Sequence, residues 1–174
     1  MLKKTGVILS ALILFALVLA GCQSSNTAGT QEKEKYQAFY DARVQYLGDN
    51  SKVSALLDTI GAGELGEYTI ALKTDKEPYG LTVNYSTLKN EGAAAKFKNT
   101  GRIEYAYYSL ALIENLSEVD VNYKDHNYRL TVAEANEIVK GDIKEYGKTA
   151  EKLKELDQIL NPVAYNKLRE NKDH

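Results

Sequence analysis

Four segments with alternating apolar and polar residues place the strongest constraint on the fold of this chain. In each segment an apolar side chain recurs at every second position, which is the pattern of a β-strand that buries one face. Loop residues, including Pro78 and Gly80 before the second segment and Asp125-His126-Asn127 before the fourth, predict two hairpins. We therefore predict a four-stranded, largely antiparallel sheet with helices packed on one face. The segments cover residues 68–72, 81–85, 119–123 and 128–132.

The opposite face of this predicted sheet is polar and would be open to water. An antiparallel sheet that is covered on one side has alternating apolar and polar residues, because only one of the two sets of side chains enters the core. The polar set could dock a protein or a cell-wall glycan, although a merely solvated face has the same pattern. Its expected members are Thr69, Thr82, Asn84, Asp120, Asn122, Arg129 and Thr131.

Most of the remaining segments have the apolar spacing of helices, so we predict a single domain of the α+β class. Asp49 or Asn50 can cap a helix that ends at Gly61, and residues 102–116 form a run that is apolar nearly all round, as expected for the most buried helix. Thr131 and Glu134 fit a capping box, which opens a helix to Gly147. A further helix bears apolar residues at 153, 156 and 160.

The first 21 residues have the features of a lipoprotein signal peptide. Lys3 and Lys4 precede an apolar run at 7–20, which is shorter than the roughly 20 residues that a membrane span needs. The run ends in Leu19-Ala20-Gly21-Cys22, which resembles the bacterial lipobox. We expect the signal peptidase to recognise residues 19–21 and a diacylglyceryl group to anchor Cys22 on the extracytoplasmic face of the cell membrane.

The composition of the remaining segments sets the expected domain boundaries. Residues 22–40 are mostly polar and small, which predicts a flexible tether. The globular α+β domain is expected at 41–147, followed at 148–174 by a C-terminal helix and a polar tail.

Several chemistries find no support in the sequence. Cys22 is the only cysteine, and the histidines are His126 and His174, so the usual Cys/His zinc sites are not expected. The net charge of −2 becomes −4 when Lys3 and Lys4 leave with the signal peptide, which argues against a nucleic-acid partner. We expect no metal, no cofactor and no catalytic residue.

Three segments in order carry a family resemblance. They are YLGDNSKV at 46–53, PYGLTVNY at 78–85 and ALIENL at 111–116. Together they resemble the domain-of-unknown-function family numbered 4825, over about residues 40–147. The resemblance implies a lipoprotein or membrane-associated protein of a Gram-positive bacterium, and an extracytoplasmic sensing or accessory role, because similar domains occur attached to membrane metallopeptidases. This chain has no His-Glu-x-x-His motif, so peptidase activity does not carry over.

Individual candidate sites each have a structural alternative. The Gly48–Lys52 segment could bind an anion at a helix N-terminus or could simply form a helix cap. Tyr79 in the Pro78-Tyr79-Gly80 loop could be displayed to a partner or could belong to an ordinary turn. Three tyrosines at 105, 107 and 108 cannot all point the same way, so at least one could meet a groove or the surface, or all three could simply pack in the core. His126 lies in a predicted turn, where solvation is the simpler interpretation than a general base.

These observations favour a non-enzymatic binding or accessory module. Its candidate partner surface consists of Pro78, Tyr79, Gly80, Asn84, Asp120, Asn122 and Arg129. One alternative is a cell-envelope hydrolase that uses carboxylates or His126, with Asp120 and Glu114 as further candidates. Another is a small-solute binding protein, although the mature chain is too short for a two-lobed architecture.

Overall fold

The computed structural model describes residues 26–99 and 103–161. The described residues from Lys35 onward form one compact unit, and those before Lys35 are grouped separately. Of residues 1–34 the structure describes residues 26–34, which are helical. The described elements, in chain order, are α1 (Asn26–Asp41), α2 (Asn50–Thr59), α3 (Ala62–Leu65), β1 (Gly66–Lys73), β2 (Gly80–Leu88), α4 (Glu91–Asn99), α5 (Glu104–Leu112), β3 (Glu118–Tyr123), β4 (His126–Thr131), α6 (Val132–Val139), α7 (Ile143–Tyr146) and α8 (Ala150–Ile159).

The four strands form one mixed sheet in the order β1-β2-β3-β4, so the predicted α+β class is confirmed. Both predicted hairpins are antiparallel, whereas the central pair, β2 and β3, is parallel. A parallel connection has to cross from one end of the sheet to the other, and here α4 and α5 make that crossing. The strand order follows from this crossing, which the spacing of the segments alone could not reveal.

The sheet buries one face, as the alternation predicts. Leu81 and Val83 of β2 and Val119 and Val121 of β3 are fully buried, whereas Asn84 is exposed. Every residue of α5 from Tyr105 to Leu112 is buried, which confirms that this apolar helix is the most enclosed element. The core therefore lies between the apolar face of the sheet and the helices, and the polar face is left for other contacts.

The helix ends follow the predicted caps. The Asp49 side chain accepts a hydrogen bond from the Lys52 backbone N–H at the start of α2, and Thr131 with Glu134 forms the expected capping box of α6. Gly61, with φ of 90°, follows α2 in the left-handed region that favours glycine.

The expected tether and the domain boundaries need correction. The structure has helix α1 over Asn26–Asp41, where the polar composition predicted a flexible segment to residue 40. Tyr36 and Phe39 of α1 are buried, so core residues begin before residue 41. At the other end, Leu153 and Leu156 of α8 are fully buried, and this helix belongs to the core rather than to a separate C-terminal segment. The polar tail at 162–174 lies outside the described residues.

Three local predictions were also wrong. The second hairpin turns at Lys124 and Asp125, with Lys124 at φ of 51°, so His126 already starts β4. The single helix expected to reach Gly147 is divided into α6 and α7, because Lys140 adopts φ of 54° and ends α6. The helix expected at 102–116 ends at Leu112, and Ile113 instead forms an isolated parallel bridge with Val44.

Candidate functional site

The polar sheet face is the surface that the fold positions most clearly. Strand register aligns its residues in three rows across all four strands. Of the sequence candidates, it brings together Gly80, Asn84, Asp120, Asn122 and Arg129. The rows are Lys73–Gly80–Glu118–Thr131, Ala71–Thr82–Asp120–Arg129 and Thr69–Asn84–Asn122–Asn127.

Glu118 is the centre of a charged network at one end of this face. Its side chain is only 8% exposed, and its two carboxylate oxygens accept hydrogen bonds from Lys73, at 3.3 Å, and from Arg129. Arg129 also approaches Asp120, with 4.0 Å between Nη1 and Oδ1. A nearly buried carboxylate is tolerated when cations hold it, and here both cations remain about half exposed. The network therefore fixes the positions of two half-exposed cations.

Three asparagines form a hydrogen-bonded ladder in the adjacent part of the face. The Asn122 amide donates to Asn84 Oδ1 at 2.9 Å, and the Asn127 amide donates to Asn122 Oδ1. Each amide has two N–H donors and an acceptor oxygen with two lone pairs, so the ladder leaves donors and acceptors available. The side chains are nevertheless held in fixed orientations by one another.

The Pro78-Tyr79-Gly80 loop supports the polar face rather than displaying its tyrosine. Tyr79 is half-buried against the core, and its backbone carbonyl accepts hydrogen bonds from the backbone N–H groups of Ser117, at 2.9 Å, and Glu118, at 3.2 Å. A Cβ on Gly80 would lie 3.2 Å from the Glu118 side chain. Pro78 is exposed, and the Glu77–Pro78 peptide bond is cis. The loop thus sets the start of β3 and the position of Glu118.

The sequence reasoning missed Glu118, Lys73 and Asn127. Extending each alternation by one step would have found the first two, because Glu118 shares its face with Asp120, and Lys73 shares its face with Thr69. Asn127 was assigned to the turn, and only the correct turn position places it in the strand.

Other predicted candidates are placed apart from this face or already have a local role. His126 is exposed at the start of β4, opposite Tyr123 in the register. At the Gly48–Lys52 segment, the Asp49 carboxylate caps α2 and pairs with Lys52 Nζ at 2.9 Å, so an anionic side chain fills the position proposed for a bound anion. The hydrogen bonds from Lys52 lower the pKa of Asp49. The helix-cap interpretation fits this arrangement.

The three tyrosines of α5 are all buried, and two of them line a groove. Tyr105 and Tyr108 form part of the wall of a groove of about 380 Å³, together with Phe39, Lys35 and Asp157. The Tyr108 hydroxyl donates to the Asp157 carboxylate, and burial together with this bond raises the pKa of Tyr108 well above its ordinary value. All three tyrosines therefore pack in the core, which was the structural alternative, and two of them also border this groove.

A second groove, of about 700 Å³, is lined by residues of α1, α5, α7 and the segments next to them, including Lys144 of α7 and Glu114, which follows α5. The Lys144 ammonium lies against the C-terminal end of α5 and donates to the carbonyls of Leu110, Ile113 and Leu116 at 2.6, 2.8 and 2.8 Å. Burial lowers the pKa of Lys144 to about 8. This lysine joins α7 to α5. Glu114 therefore lies at this groove, whereas Asp120 lies on the polar sheet face.

The lipid-attachment candidate Cys22 and the peptidase-recognition residues Leu19, Ala20 and Gly21 lie outside the described residues. None of the helices in the described ranges combines the length and apolar character that a membrane span requires. Residues 26–99 and 103–161 also contain no group of three or more His, Cys, Asp or Glu side chains suited to a metal ion.

The fold and the candidate site define a class of protein, namely a small α+β domain whose four-stranded sheet is covered on one face and leaves a preorganised polar face open. The chain belongs to the family described as a domain of unknown function, DUF4825, whose model matches residues 39–133. The match ends within α6, earlier than the residue 147 expected from the sequence, so α7 and α8 lie beyond it. No curated protein and no solved structure matches the chain.

Proposed function

We propose that this chain is a lipid-anchored extracytoplasmic protein whose globular domain is a non-enzymatic binding or accessory module. In this proposal the polar sheet face is the docking surface, and the partner is an extracytoplasmic protein or a cell-wall component. The observation that carries the proposal is a pair of polar networks on this face, the charged one around Glu118 and the asparagine ladder, which together include residues of all four strands.

Preorganisation is the physical reason why this network favours binding. Ordering a long polar side chain on association costs about 0.5–1.5 kcal/mol, which weakens the binding that polar contacts provide. Here the Glu118 carboxylate already holds Lys73 and Arg129, and the asparagine ladder already holds its amides. A partner can therefore use their remaining donors and acceptors at a reduced entropic cost.

The sequence before the domain supports the location. Basic residues at 3 and 4, an apolar run too short for a membrane span and the Leu19-Ala20-Gly21-Cys22 pattern are what a lipoprotein precursor requires. Two acyl chains on Cys22 would provide stable anchoring, whereas one chain is marginal. The polar sheet face would then meet partners at the outer surface of the membrane.

A matched pair of amide-to-lysine substitutions tests the docking surface. Asn84→Lys places a bulky charge on the polar sheet face, whereas Gln158→Lys makes the same chemical change at an exposed position of α8. Cross-linked complexes recovered from membranes, and retention of the chain on purified cell wall, are compared with those of the wild type. We expect a complex or wall retention that Asn84→Lys abolishes and Gln158→Lys preserves. Equal recovery from both variants, or no recovery from the wild type, would count against the proposal.

The anchor is tested separately by Cys22→Ser. Metabolic labelling with a fatty-acid analogue should mark the wild-type chain and leave Cys22→Ser unlabelled. Label that persists in the variant would show that Cys22 is not the lipid-bearing residue, without affecting the proposal for the polar sheet face.

A further inference from the structure

Strand β1 lies at one edge of the sheet, and its apolar side chains are less covered than those of its neighbour. Ile70 and Leu72 are half-buried, whereas their register partners in β2, Val83 and Leu81, are fully buried. The helical layer therefore covers the centre of the sheet but only part of this edge. A half-covered apolar strip beside an edge strand is a place where another strand can add.

The outer edge of β1 is also regular and open within the described part of the chain. No backbone hydrogen bond joins residues 67–73 to any described element other than β2. The register shift near Glu67 arises because no residue of β1 lies opposite Ser86 of β2, so the extra residue is in β2 and not in β1. The usual device of an edge bulge that twists a strand away from new partners is therefore absent from this strand of the described structure.

The sequence of β1 is complementary to itself in one antiparallel register. A two-fold axis through Ile70 places Glu67 opposite Lys73 of a second copy, on the face where both side chains already lie, and this pair occurs twice. The same register pairs Thr69 with Ala71 and Ile70 with itself. Opposite charges directly across an antiparallel pair stabilise it, so charge selects this register over its neighbours. A shift of the axis by one residue loses both charge pairs.

The other edge of the sheet lacks this complementarity. In β4, a two-fold axis through Tyr128 pairs Arg129 with Asn127, and an axis through Arg129 places two guanidinium groups against each other. Like charges directly opposite destabilise a strand pair. Because only one of the two edges is complementary to itself, we infer that the charges of β1 favour pairing with a second copy of β1 and do not merely keep the edge soluble.

We propose that two copies of this chain associate through antiparallel pairing of their β1 strands, centred on Ile70, to form a continuous eight-stranded sheet. The two polar sheet faces then lie on the same side and form one surface of doubled width, while the half-covered strip of Ile70 and Leu72 becomes enclosed. A single strand pair buries less area than a standard stable interface, so the dimer is weak and depends on the local concentration of the chain. This inference is independent of whether the polar sheet face binds a partner.

Directed disulfide formation between full-length chains in the membrane tests the register. One chain carries Thr69→Cys and a co-expressed, differently tagged chain carries Ala71→Cys. In the proposed register the paired Cα atoms lie about 4.5–5.5 Å apart, within disulfide range, whereas two copies of residue 69 lie about 7–8 Å apart. We expect the mixed pair to give about tenfold more linked dimer on mild oxidation than either variant alone, since the diagonal pairs exceed the usual Cα separation. The wild type sets the background from Cys22.

A charge reversal tests the origin of the preference. Glu67→Lys, added to both cysteine variants, places a lysine opposite Lys73 and should reduce the linked dimer severalfold. Glu155→Lys, the same change at an exposed position of α8, should leave the yield unchanged. Equal yields from Thr69→Cys alone and from the mixed pair would overturn the proposal. An absence of linked dimer while both thiols react with a maleimide would overturn it as well, as would a yield that Glu67→Lys does not lower.

Discussion

Replacement of Gly147 by alanine tests how closely α7 packs on the most buried helix. Gly147 has φ of −83°, a conformation that alanine adopts without strain, so only space limits the substitution. A Cβ at this position would lie 2.0 Å from the backbone oxygen of Ala111 in α5, whereas real Cβ atoms essentially never come closer than 3.0 Å. The end of α7 would therefore have to move away from α5 by about 1 Å.

The cost of this movement follows from the groups that join the two helices. Inserting a methyl group into a well-packed interface typically costs about 1–3 kcal/mol. The movement also strains the hydrogen bonds of Lys144 to three carbonyls, one in the last turn of α5 and two in the segment that follows it, and a hydrogen bond to a charged group is worth about 1.5–3 kcal/mol. We expect Gly147→Ala to lower the free energy of unfolding by about 3 kcal/mol in total, because the strained bonds weaken without all being lost.

Thermal denaturation followed by circular dichroism measures this effect. For a chain of this size, about 3 kcal/mol corresponds to a fall in Tm of about 10 °C. Gly141→Ala is the control, because no atom lies within 4 Å of its Cβ position, and it should be neutral or slightly stabilising. If both variants melt at the same temperature, the close packing of α7 on α5 is refuted.

Three further predictions concern titration and capping. Burial lowers the pKa of Lys144 from 10.5 to about 8, so between pH 8 and pH 10.5 the unfolded chain binds more protons than the folded chain. The free energy of unfolding should therefore rise with pH across this range, by up to about 3 kcal/mol. Denaturant titrations at several pH values should show this rise for the wild type and not for Lys144→Met. Burial raises the pKa of Tyr85 to about 12 and that of Tyr108 further. The stability that these two neutral phenols contribute is therefore complete below pH 10, and above pH 10 each group loses about 1.4 kcal/mol per pH unit. Absorbance at alkaline pH should show these phenols ionising only as the chain unfolds. Asp49→Ala removes the acceptor for the Lys52 N–H and should cost about 1 kcal/mol in the same denaturant titration, whereas an unchanged midpoint would show that the cap is not needed.

Much of the fold follows from local sequence patterns. The caps at Asp49 and Thr131, the buried helix α5 and the apolar face of each strand depend on residues close together in the chain, and these predictions were confirmed. The parallel pairing of β2 with β3 depends on how a long crossing packs, which no local pattern records. The division between α6 and α7 was missed because Ile138, Val139 and Ile143 keep a helical spacing across it.

The candidate site was partly predictable for the same reason. Alternation placed Asn84, Asp120 and Asn122 on one face, but the contacts between them depend on register across separate strands. Glu118 could be assigned to that face by alternation, yet its burial between Lys73 and Arg129 depends on three strands meeting. The prediction of a flexible tether was wrong at α1. It was based on the polar composition of the segment and gave too little weight to the apolar residues Tyr36 and Phe39, which are buried near the end of that helix.

Site-specific photo-cross-linking in living cells tests the central claim most directly. A photoreactive residue at Asn84 samples the polar sheet face, and the same residue at Gln158 samples exposed α8 on an otherwise identical chain. If the polar sheet face is the docking surface, position 84 should give a discrete adduct with an extracytoplasmic protein or a wall fragment, and position 158 should not. Adducts at position 158 alone, or no adduct at position 84, would contradict the account.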